Sequence, residues 1–340
     1  MTAYSQTVGI GDMNSSVLVQ QRQLARQEFL RQSAWMVGVI AVLTVLVLLL
    51  SNAYWIKTLI SAFTLSIAVA GVALLYGQLG LISLCQYALL GLGGWVGLRL
   101  AHTGAVPFEL SVLGAGAAAA VFSMVVGLPA LRMRGLYLAL VTLMIAGGFA
   151  VVVSATGFPD GGAGWLGRMV GSERQMMTRP LVASSDEAYF VYVMVWLCLV
   201  LLLVQWHRMS KPGRAWALIR RGEAVASAAG VNIVGYQTWA FALSGWCAGV
   251  SGALLAGGVG QLDGRAFGAS ESVMLFALTV VGGAYHWLGA LITGLLLRAF
   301  PALLQDFDVN AYLAMMVFGV ALLHALMTAP RGIAGQILRK

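Results

Sequence analysis

Charged side chains are scarce in this sequence. Only 9% of the 340 residues are Asp, Glu, Lys or Arg, whereas 60% are hydrophobic. A soluble domain usually carries about a quarter charged residues and needs them to stay in solution. The shortage excludes an ordinary soluble enzyme or binding module. It predicts an all-α polytopic membrane protein, because helices satisfy their own backbone hydrogen bonds within lipid.

Lysine is rarer still, with only Lys57, Lys211 and Lys340 in the chain. A phosphate-binding loop of the Walker A type needs Gly-Lys followed by Ser or Thr. None of the three lysines stands in that setting. Any ATP that powers this protein is therefore expected to bind to another chain, and no cofactor is expected on this one.

Cysteine and histidine are also few. The three cysteines, Cys85, Cys198 and Cys247, fall within apolar stretches without paired spacing, which excludes a disulfide framework. His102 and His207 stand at the ends of apolar stretches without the spacing of metal ligands. The sequence therefore predicts no metal site.

The charges that are present are bunched, and the apolar intervals between them predict about ten transmembrane or partly spanning helices. Two intervals are divided at Gly-rich breaks, 77–80 and Gly282-Gly283. Broken helices line transport paths in membrane transporters, whereas a close-packing glycine pair in one tilted helix would give the same letters. The predicted spans are 34–51, 57–76, 81–101, 108–128, 136–156, 188–206, 238–258, 272–281, 287–304 and 309–327.

Loop charges give the predicted membrane domain, residues 34–336, an orientation. If both termini are cytoplasmic, most Lys and Arg residues fall in cytoplasmic loops, as the positive-inside rule requires. Residues 1–33 then form a cytoplasmic tail, and most acids lie outside together with a minority of the cations, including Arg298. The net charge of +8 is thus explained by topology, and no nucleic-acid partner is expected.

Two loops are long enough to contact other proteins. The predicted external loop 157–187 is compatible with a lid, with a docking surface for an external protein, or with a plain connector. In the predicted cytoplasmic loop 207–237, the letters at 211–214 predict a turn, and residues 215–229 predict a helix that stops at Gly230. Its small residues would let a cytoplasmic partner approach closely, although a basic loop resting on lipid headgroups has the same composition.

Five ordered motifs between about residues 60 and 336 resemble those of branched-chain amino acid ABC permeases. Within that family the chain looks most like the second, longer permease subunit, with urea- and amide-type permeases as the alternative relatives. The motifs are Gly77-Gln78 through Ser83-Leu84; Arg134-Gly135-Leu136-Tyr137-Leu138-Ala139 with Thr142-Leu143; the run Gly213 to Asn232; Ala240 to Gly245 with Ala248 to Leu254; and Val281-Gly282-Gly283 with Gly289-Ala290 and Thr293-Gly294.

The resemblance implies a multi-pass permease subunit of an ABC importer in a bacterial inner (plasma) membrane, with no catalysis by this chain. It implies transport of branched-chain amino acids or related small polar solutes. The implied partners are a homologous second permease, two ATP-binding subunits, an external solute-binding protein and membrane lipid. Coupling to the ATPase is assigned to Gly213, Arg214, Arg220, Arg221, Glu223, Ala228 and Gly230. The translocation pathway is assigned to Gly77, Gln78, Ser83, Gln86, Tyr137, Thr142, Thr279, Gly282 and Gly283.

Some positions depart from the family pattern. Cys85-Gln86 stands where Gly-His is common, Ala146-Gly147-Gly148 replaces a segment that often carries an acid, and Gln237 replaces a usual Lys. These changes affect the expected substrate more than the expected coupling. Branched-chain amino acids, other amino acids, amides and urea all stay open.

Two other functions fit parts of the sequence. An ion-coupled secondary transporter would also have many spans, but such coupling normally uses acids within the membrane, and every Asp and Glu here lies outside the predicted spans or at their ends. An intramembrane serine protease would use a nucleophile such as Ser251 in Gly249-Val250-Ser251-Gly252, with His286 or His324 as base. Tight packing of small residues explains the same letters.

Overall fold

In the computed structural model, the described residues are 8–103, 106–130, 133, 135–162, 164–168, 175–307, 332–337 and single positions between 313 and 327. Across these residues the regular structure is entirely helical, which confirms the predicted all-α class. The helices are α1 (Val8–Leu50), α2 (Ala53–Leu74), α3 (Gln86–His102), α4 (Phe108–Ala130), α5 (Leu136–Thr156), α6 (Asp186–Met209), α7 (Lys211–Arg221), α8 (Glu223–Ala228), α9 (Ile233–Val259), α10 (Ala269–Gly282), α11 (Trp287–Gly294), α12 (Phe300–Asp306) and a C-terminal helix, Gly332–Ile337.

Seven helical segments in the described part of the chain are long and apolar enough to cross a membrane. Two of them include a π-helical turn: α2 continues through Leu75–Leu79, and α11 continues through Leu295–Ala299 into α12. The segments are Arg26–Leu50, Ala53–Leu79, Phe108–Leu128, Leu136–Thr156, Asp186–Met209, Ile233–Val259 and Trp287–Asp306.

Two predictions about the spans need correction, and one falls outside the described residues. The span predicted at 81–101 is helical only from Gln86, because residues 80–85 are not helical. Arg298, grouped by its charge with the external cations, lies within the span Trp287–Asp306, eight residues before its end. The span predicted at 309–327 lies largely outside the described residues.

Side-chain caps define where several helices begin. The Asn52 side chain accepts a hydrogen bond from the backbone N–H of Trp55, Ser185 does the same for Ala188, and Asn232 for Gly235. Each cap satisfies one of the N–H groups that the first turn leaves without a partner. In α6 the charges also suit the helix dipole, with acids in the first turn and His207 and Arg208 in the last.

Helix α9 lies at the centre of the bundle, and 94% of the residues in its 18-residue apolar stretch are buried. It packs against α2, α3 and α4 through small residues. A Cβ atom on Gly249 would lie 2.5 Å from the carbonyl oxygen of Ala115, and one on Gly252 would overlap the carbonyl oxygen of Leu90. Such glycines let helix backbones approach closely where lipid supplies no hydrophobic driving force between helices.

The two ends of the bundle are named after the ends of helix α6. The Asp186 end is the end at which α6 begins, and the α7 end is the end at which α6 is followed by α7. At the Asp186 end, the guanidinium of Arg179 donates to the carbonyl oxygens of Gly257 and Gly258 and, at 2.7 Å, to Asp186. It also lies 4.8 Å from the ring centroid of Tyr189. Arg179 therefore ties the segment before α6 to the last turn of α9, whose carbonyls lack partners within the helix.

Replacing Arg179 with alanine is expected to lower the thermal stability of the purified chain in detergent. The change removes three hydrogen bonds made by a half-buried guanidinium, and each such bond to a charged group contributes about 1.5–3 kcal/mol. Arg265→Ala is the matched control, because Arg265 is exposed. Equal melting temperatures for the two variants would contradict this assignment.

Candidate functional site

The first of two helix breaks follows α2. The π-helical turn Leu75–Leu79 ends at Gly80, whose φ of 73° favours glycine. The backbone N–H groups of Gly80 and Leu81 still bond back to Tyr76 and Leu75. π-Helical turns are rare and often mark functional positions.

Residues 80–85, which continue this break, are held by side chains from distant helices. The hydroxyl of Thr142 in α5 accepts the backbone N–H of Leu84 at 2.9 Å, and Ser272 in α10 accepts that of Tyr87 at 3.2 Å. The Ser83 hydroxyl lies 3.3 Å from the sulfur of Cys85. Non-helical backbone at membrane depth is tolerated only where protein or a water-filled cavity covers it. Two predicted pathway residues, Ser83 and Thr142, therefore meet at this segment.

The second break separates α10 from α11 at the predicted position. Helix α10 ends at Gly282, Gly283 has a φ of 113°, and α11 begins at Trp287. The hydroxyl of Thr293 lies 2.7 Å from the carbonyl oxygen of Gly289 and 3.1 Å from that of Leu278, so it joins the two helices across the break.

His286 caps α11 beside this break and lies between the two helical segments. Its Nδ1 accepts the backbone N–H of Leu288 at 3.2 Å. Burial, followed by the charge of Arg208, lowers the pKa of His286 to about 4. The ring is therefore neutral near pH 7, which leaves Nδ1 free to accept this bond.

The two breaks meet at the α7 end of the bundle. A Cβ atom on Gly77 would overlap the carbonyl oxygen of Ala284, so the two backbones are in close contact there. The rings of Tyr76 and Tyr285 lie 6.4 Å apart, and Arg208 donates to the carbonyl oxygen of Tyr285 at 2.6 Å. Gly77, Gly282 and Gly283, all predicted pathway residues, thus belong to one junction.

Arg220 of α7 contacts both breaks at once. Its guanidinium donates to the carbonyl oxygen of Gly77 and, at 3.0 Å, to the hydroxyl of Tyr285. It also lies 5.0 Å from the centroid of the Tyr285 ring, within the range of cation–π attraction. Arg220, assigned to coupling with the ATPase, is exposed and also links α7 to the helix junction.

Helix α7 is held against the bundle by its apolar face. Trp216 is completely buried, and its indole N–H donates to the carbonyl oxygen of Tyr236 at 2.8 Å. Ala215 and Ile219 are buried beside it. Gly213 packs on the backbone of Arg208 at a distance that no side chain would allow. A push on α7 would therefore move the neighbouring helices with it.

The predicted turn at 211–214 is wrong. Helix α7 already begins at Lys211, with Pro212 in its first turn. A proline is tolerated there because the N–H groups of the first turn have no hydrogen-bond partner within the helix. The predicted single helix 215–229 is also divided, at Gly222, whose φ of 156° suits only glycine. The predicted stop at Gly230 agrees with its φ of 74°. Gly222 is the functional candidate that the sequence reading missed, although its place in Arg-Arg-Gly-Glu is a signal.

The outer surface of α7 and α8 is basic at one end and made of small residues at the other. Arg214 and Arg221 are exposed on α7, as are Ala228 and Gly230 in and after α8. Glu223 begins α8 and is half-buried. We refer to this exposed surface of α7 and α8 as the α7–α8 surface.

The other predicted pathway residues are Gln78, Gln86, Tyr137 and Thr279, and their contacts differ from one another. The amide nitrogen of Gln86 donates to the carbonyl oxygens of Ala68 and Ser244, both at 3.1 Å, so it joins α3 to α2 and α9. The hydroxyl of Thr279 is bonded to Leu275 within its own helix. Gln78 is half-buried in the first break, and Tyr137 is exposed on α5, apart from the junction.

The geometry does not support a serine nucleophile. Ser251 is fully buried, and its hydroxyl donates to the carbonyl oxygen of Thr64 at 2.7 Å. His286 is engaged with α11, and His324 lies outside the described residues. Ser251 thus serves the packing of α9 against α2.

Comparison with known families decides the identity. Residues 54–326 match the family described as "Branched-chain amino acid transport system / permease component". The chain belongs to this family. The five motifs noted above, from Gly77 to Gly294, all fall within the matched range. The chain is a permease subunit of an ABC importer.

Two curated relatives of the permease carry the same name, "High-affinity branched-chain amino acid transport system permease protein LivM". The protein from Salmonella typhimurium is 28% identical over 303 residues, which cover 79% of this chain and 69% of the relative. The protein from Escherichia coli is 28% identical over 287 residues, covering 77% and 66%. The permease thus spans about two thirds of the length of these relatives.

Family and structure together define the permease as a multi-pass membrane protein that serves transport and is not itself an enzyme. The acids within its described spans all lie within three residues of a span end. This distribution does not support ion coupling through buried carboxylates.

Proposed function

We propose that an ATP-binding partner docks on the α7–α8 surface, and that α7 transmits its movement to both helix breaks through Arg220. The observation that carries the proposal is the pair of Arg220 contacts with Gly77 and Tyr285. Because the two breaks also touch each other at Gly77 and Ala284, a displacement of α7 would alter both together. Packed interfaces of this kind change between discrete arrangements more readily than they deform continuously.

The α7–α8 surface has the chemistry of a docking surface. Arg214 and Arg221 offer charge at one end, and Ala228 and Gly230 offer small residues over which a partner helix can lie closely. The apolar residues of α7 are used inside the bundle, with Trp216 fully buried. The α7–α8 surface is therefore suited to contact with a polar, water-exposed partner.

The energy for transport would come from other chains. The sequence has no Walker A lysine, and we propose that two ATP-binding subunits hydrolyse ATP. A homologous second permease would complete the path, and an external solute-binding protein would deliver the solute. The orientation that supports this assembly has both termini and the α7 end in the cytoplasm of a bacterium, and the Asp186 end outside the inner membrane.

The proposed substrates are branched-chain amino acids or related small polar solutes, which the printed names of the relatives support. We propose that residues 80–85, with Ser83 and Thr142, line part of the path. Gln86 would contribute little to recognition, because its amide nitrogen is occupied by two backbone carbonyls. Specificity would then reside mainly in the external binding protein.

Glu223→Ala and Gly230→Ala are expected to uncouple ATP hydrolysis from transport. Glu223 begins α8, and an alanine at Gly230 would have to adopt a left-handed backbone that costs about 1–2 kcal/mol. We expect uptake in proteoliposomes of the assembled transporter to fall about ten-fold, the effect of ~1.4 kcal/mol, while ATP hydrolysis continues.

Gly38→Ala is the control for these variants, because nothing lies within 4 Å of the added Cβ atom at that position in α1. Membrane insertion of all three variants is checked by their yield in the membrane fraction. Normal uptake by both Glu223→Ala and Gly230→Ala would show that coupling does not pass through α8.

A further inference from the structure

A polar groove lies between α2 and α12, near the Asp186 end of the bundle. It has a volume of about 410 Å³. Tyr54, Lys57 and Ser61 line it from α2, and Arg298, Pro301 and Gln305 line it from the opposite segment. Residues three or four apart share one face of a helix, so each wall is a continuous strip. Tyr54 and Gln305 form its outer rim, and Ser61 and Arg298 form its inner end.

The carboxylates near the two cations of the groove do not balance their charge. Lys57 lies 3.5 Å from Asp186, but that carboxylate already pairs with Arg179 at 2.7 Å. Within the described part of the chain, no carboxylate lies within 4 Å of the Arg298 guanidinium. The Arg298 guanidinium instead lies near the hydroxyl of Tyr87, on which the carboxylate of Glu271 also acts electrostatically. The three cations Lys57, Arg179 and Arg298 thus outnumber the two carboxylates Asp186 and Glu271. The groove therefore carries a surplus of positive charge.

The depth of these cations places both in the half of the bilayer nearest the Asp186 end. Lys57 is four residues from the start of its span, and Arg298 is eight residues from the end of its span, which corresponds to about 12 Å. The aromatic pair Tyr54 and Trp55 at the start of α2 is typical of the membrane–water interface. Long cationic side chains at such positions extend toward the headgroups and leave their apolar stems in the hydrocarbon.

We propose that this groove binds the phosphate of an anionic phospholipid, with Lys57 and Arg298 as its ligands. Arginine binds phosphate through paired N–H groups, and lysine adds a compact positive charge. The Gln305 amide at the rim suits the polar remainder of the headgroup, and the apolar side chain of Leu297, beside Arg298 at the inner end, suits an acyl chain. The site belongs to the membrane domain itself and is independent of the docking proposed for α7.

Lipid retention by the intact purified chain tests this site. We expect native mass spectrometry, after exchange into equal amounts of phosphatidylglycerol and phosphatidylcholine, to show selective retention of phosphatidylglycerol. Lys57→Gln and Arg298→Gln should each weaken that retention roughly five-fold, since a cation near an anionic lipid contributes on the order of 1 kcal/mol. Arg265→Gln, an exposed arginine away from the groove, should leave it unchanged.

Two further measurements separate a binding role from a structural one. The charge-conserving pair Lys57→Arg and Arg298→Lys should retain phosphatidylglycerol, which a purely steric role would not explain. Free leucine, as a carboxylate-bearing solute, should not displace the lipid. Equal retention of the two lipids by the unaltered chain, unchanged retention by the glutamine variants, or displacement by leucine would each overturn the proposal.

Discussion

Replacing Arg220 with alanine is expected to reduce ATP-driven uptake by roughly ten- to a hundred-fold while the chain still inserts into the membrane. The change removes the hydrogen bonds to Gly77 and Tyr285 and the cation–π contact with the Tyr285 ring. Hydrogen bonds to charged groups contribute about 1.5–3 kcal/mol, and each ~1.4 kcal/mol corresponds to ten-fold. Uptake and ATP hydrolysis are measured together in proteoliposomes of the assembled transporter.

The control for Arg220→Ala is Arg265→Ala, which removes an exposed arginine that lies outside α7 and α8. Tyr285→Phe should give an intermediate loss, because it removes one hydrogen bond and retains the ring. Hydrolysis that continues without uptake identifies Arg220 as a link between α7 and the breaks. Equal uptake by Arg220→Ala and Arg265→Ala would contradict this role of Arg220.

Gly252→Ala is expected to have the largest effect on folding of any single methyl addition in α9. The new Cβ atom would overlap the carbonyl oxygen of Leu90 and lie 2.6 Å from the backbone nitrogen of Gly94. Both atoms belong to the α3 backbone, which cannot move without separating the two helices. Overpacking of this kind typically costs about 1–3 kcal/mol, occasionally more. We expect a lower yield and a lower melting temperature in detergent.

Gly147→Ala provides a matched control, because it adds the same methyl group in a transmembrane helix where nothing lies within 4 Å. That variant should equal or slightly exceed the original stability, since alanine favours the helix by roughly 0.5–1 kcal/mol. A Gly252→Ala chain that melts at the same temperature as Gly147→Ala would mean that α3 and α9 are not in the close contact described.

The distribution of apolar residues along the sequence predicted most of the spans, but it did not predict where α3 begins. Leu81, Ile82 and Leu84 have the composition of a membrane helix, yet they lie in the non-helical segment before Gln86. Their conformation depends on hydroxyl groups from residues far away in the sequence, such as Thr142, which bonds to the Leu84 backbone. A local pattern cannot contain that information.

The start of α7 shows the same limit on a smaller scale. Pro212-Gly213 is typical of a turn, but the proline fits the first turn of a helix and the glycine is needed for contact with the Arg208 backbone. The contact of the exposed Arg220 side chain with the Gly77 carbonyl likewise depends on the position of Gly77 in the folded chain. By contrast, the break at Gly283 was predicted, because a glycine pair lies within an apolar interval and the loop charges require an additional crossing there to keep the C-terminal cations in the cytoplasm.

The most direct test of the central claim is uptake by the complete transporter in proteoliposomes that contain ATP. A permease driven by ATP-binding partners predicts that uptake persists when an uncoupler abolishes ion gradients and stops when ATP is depleted. Uptake that survives the loss of ATP but is abolished by the uncoupler would contradict the account.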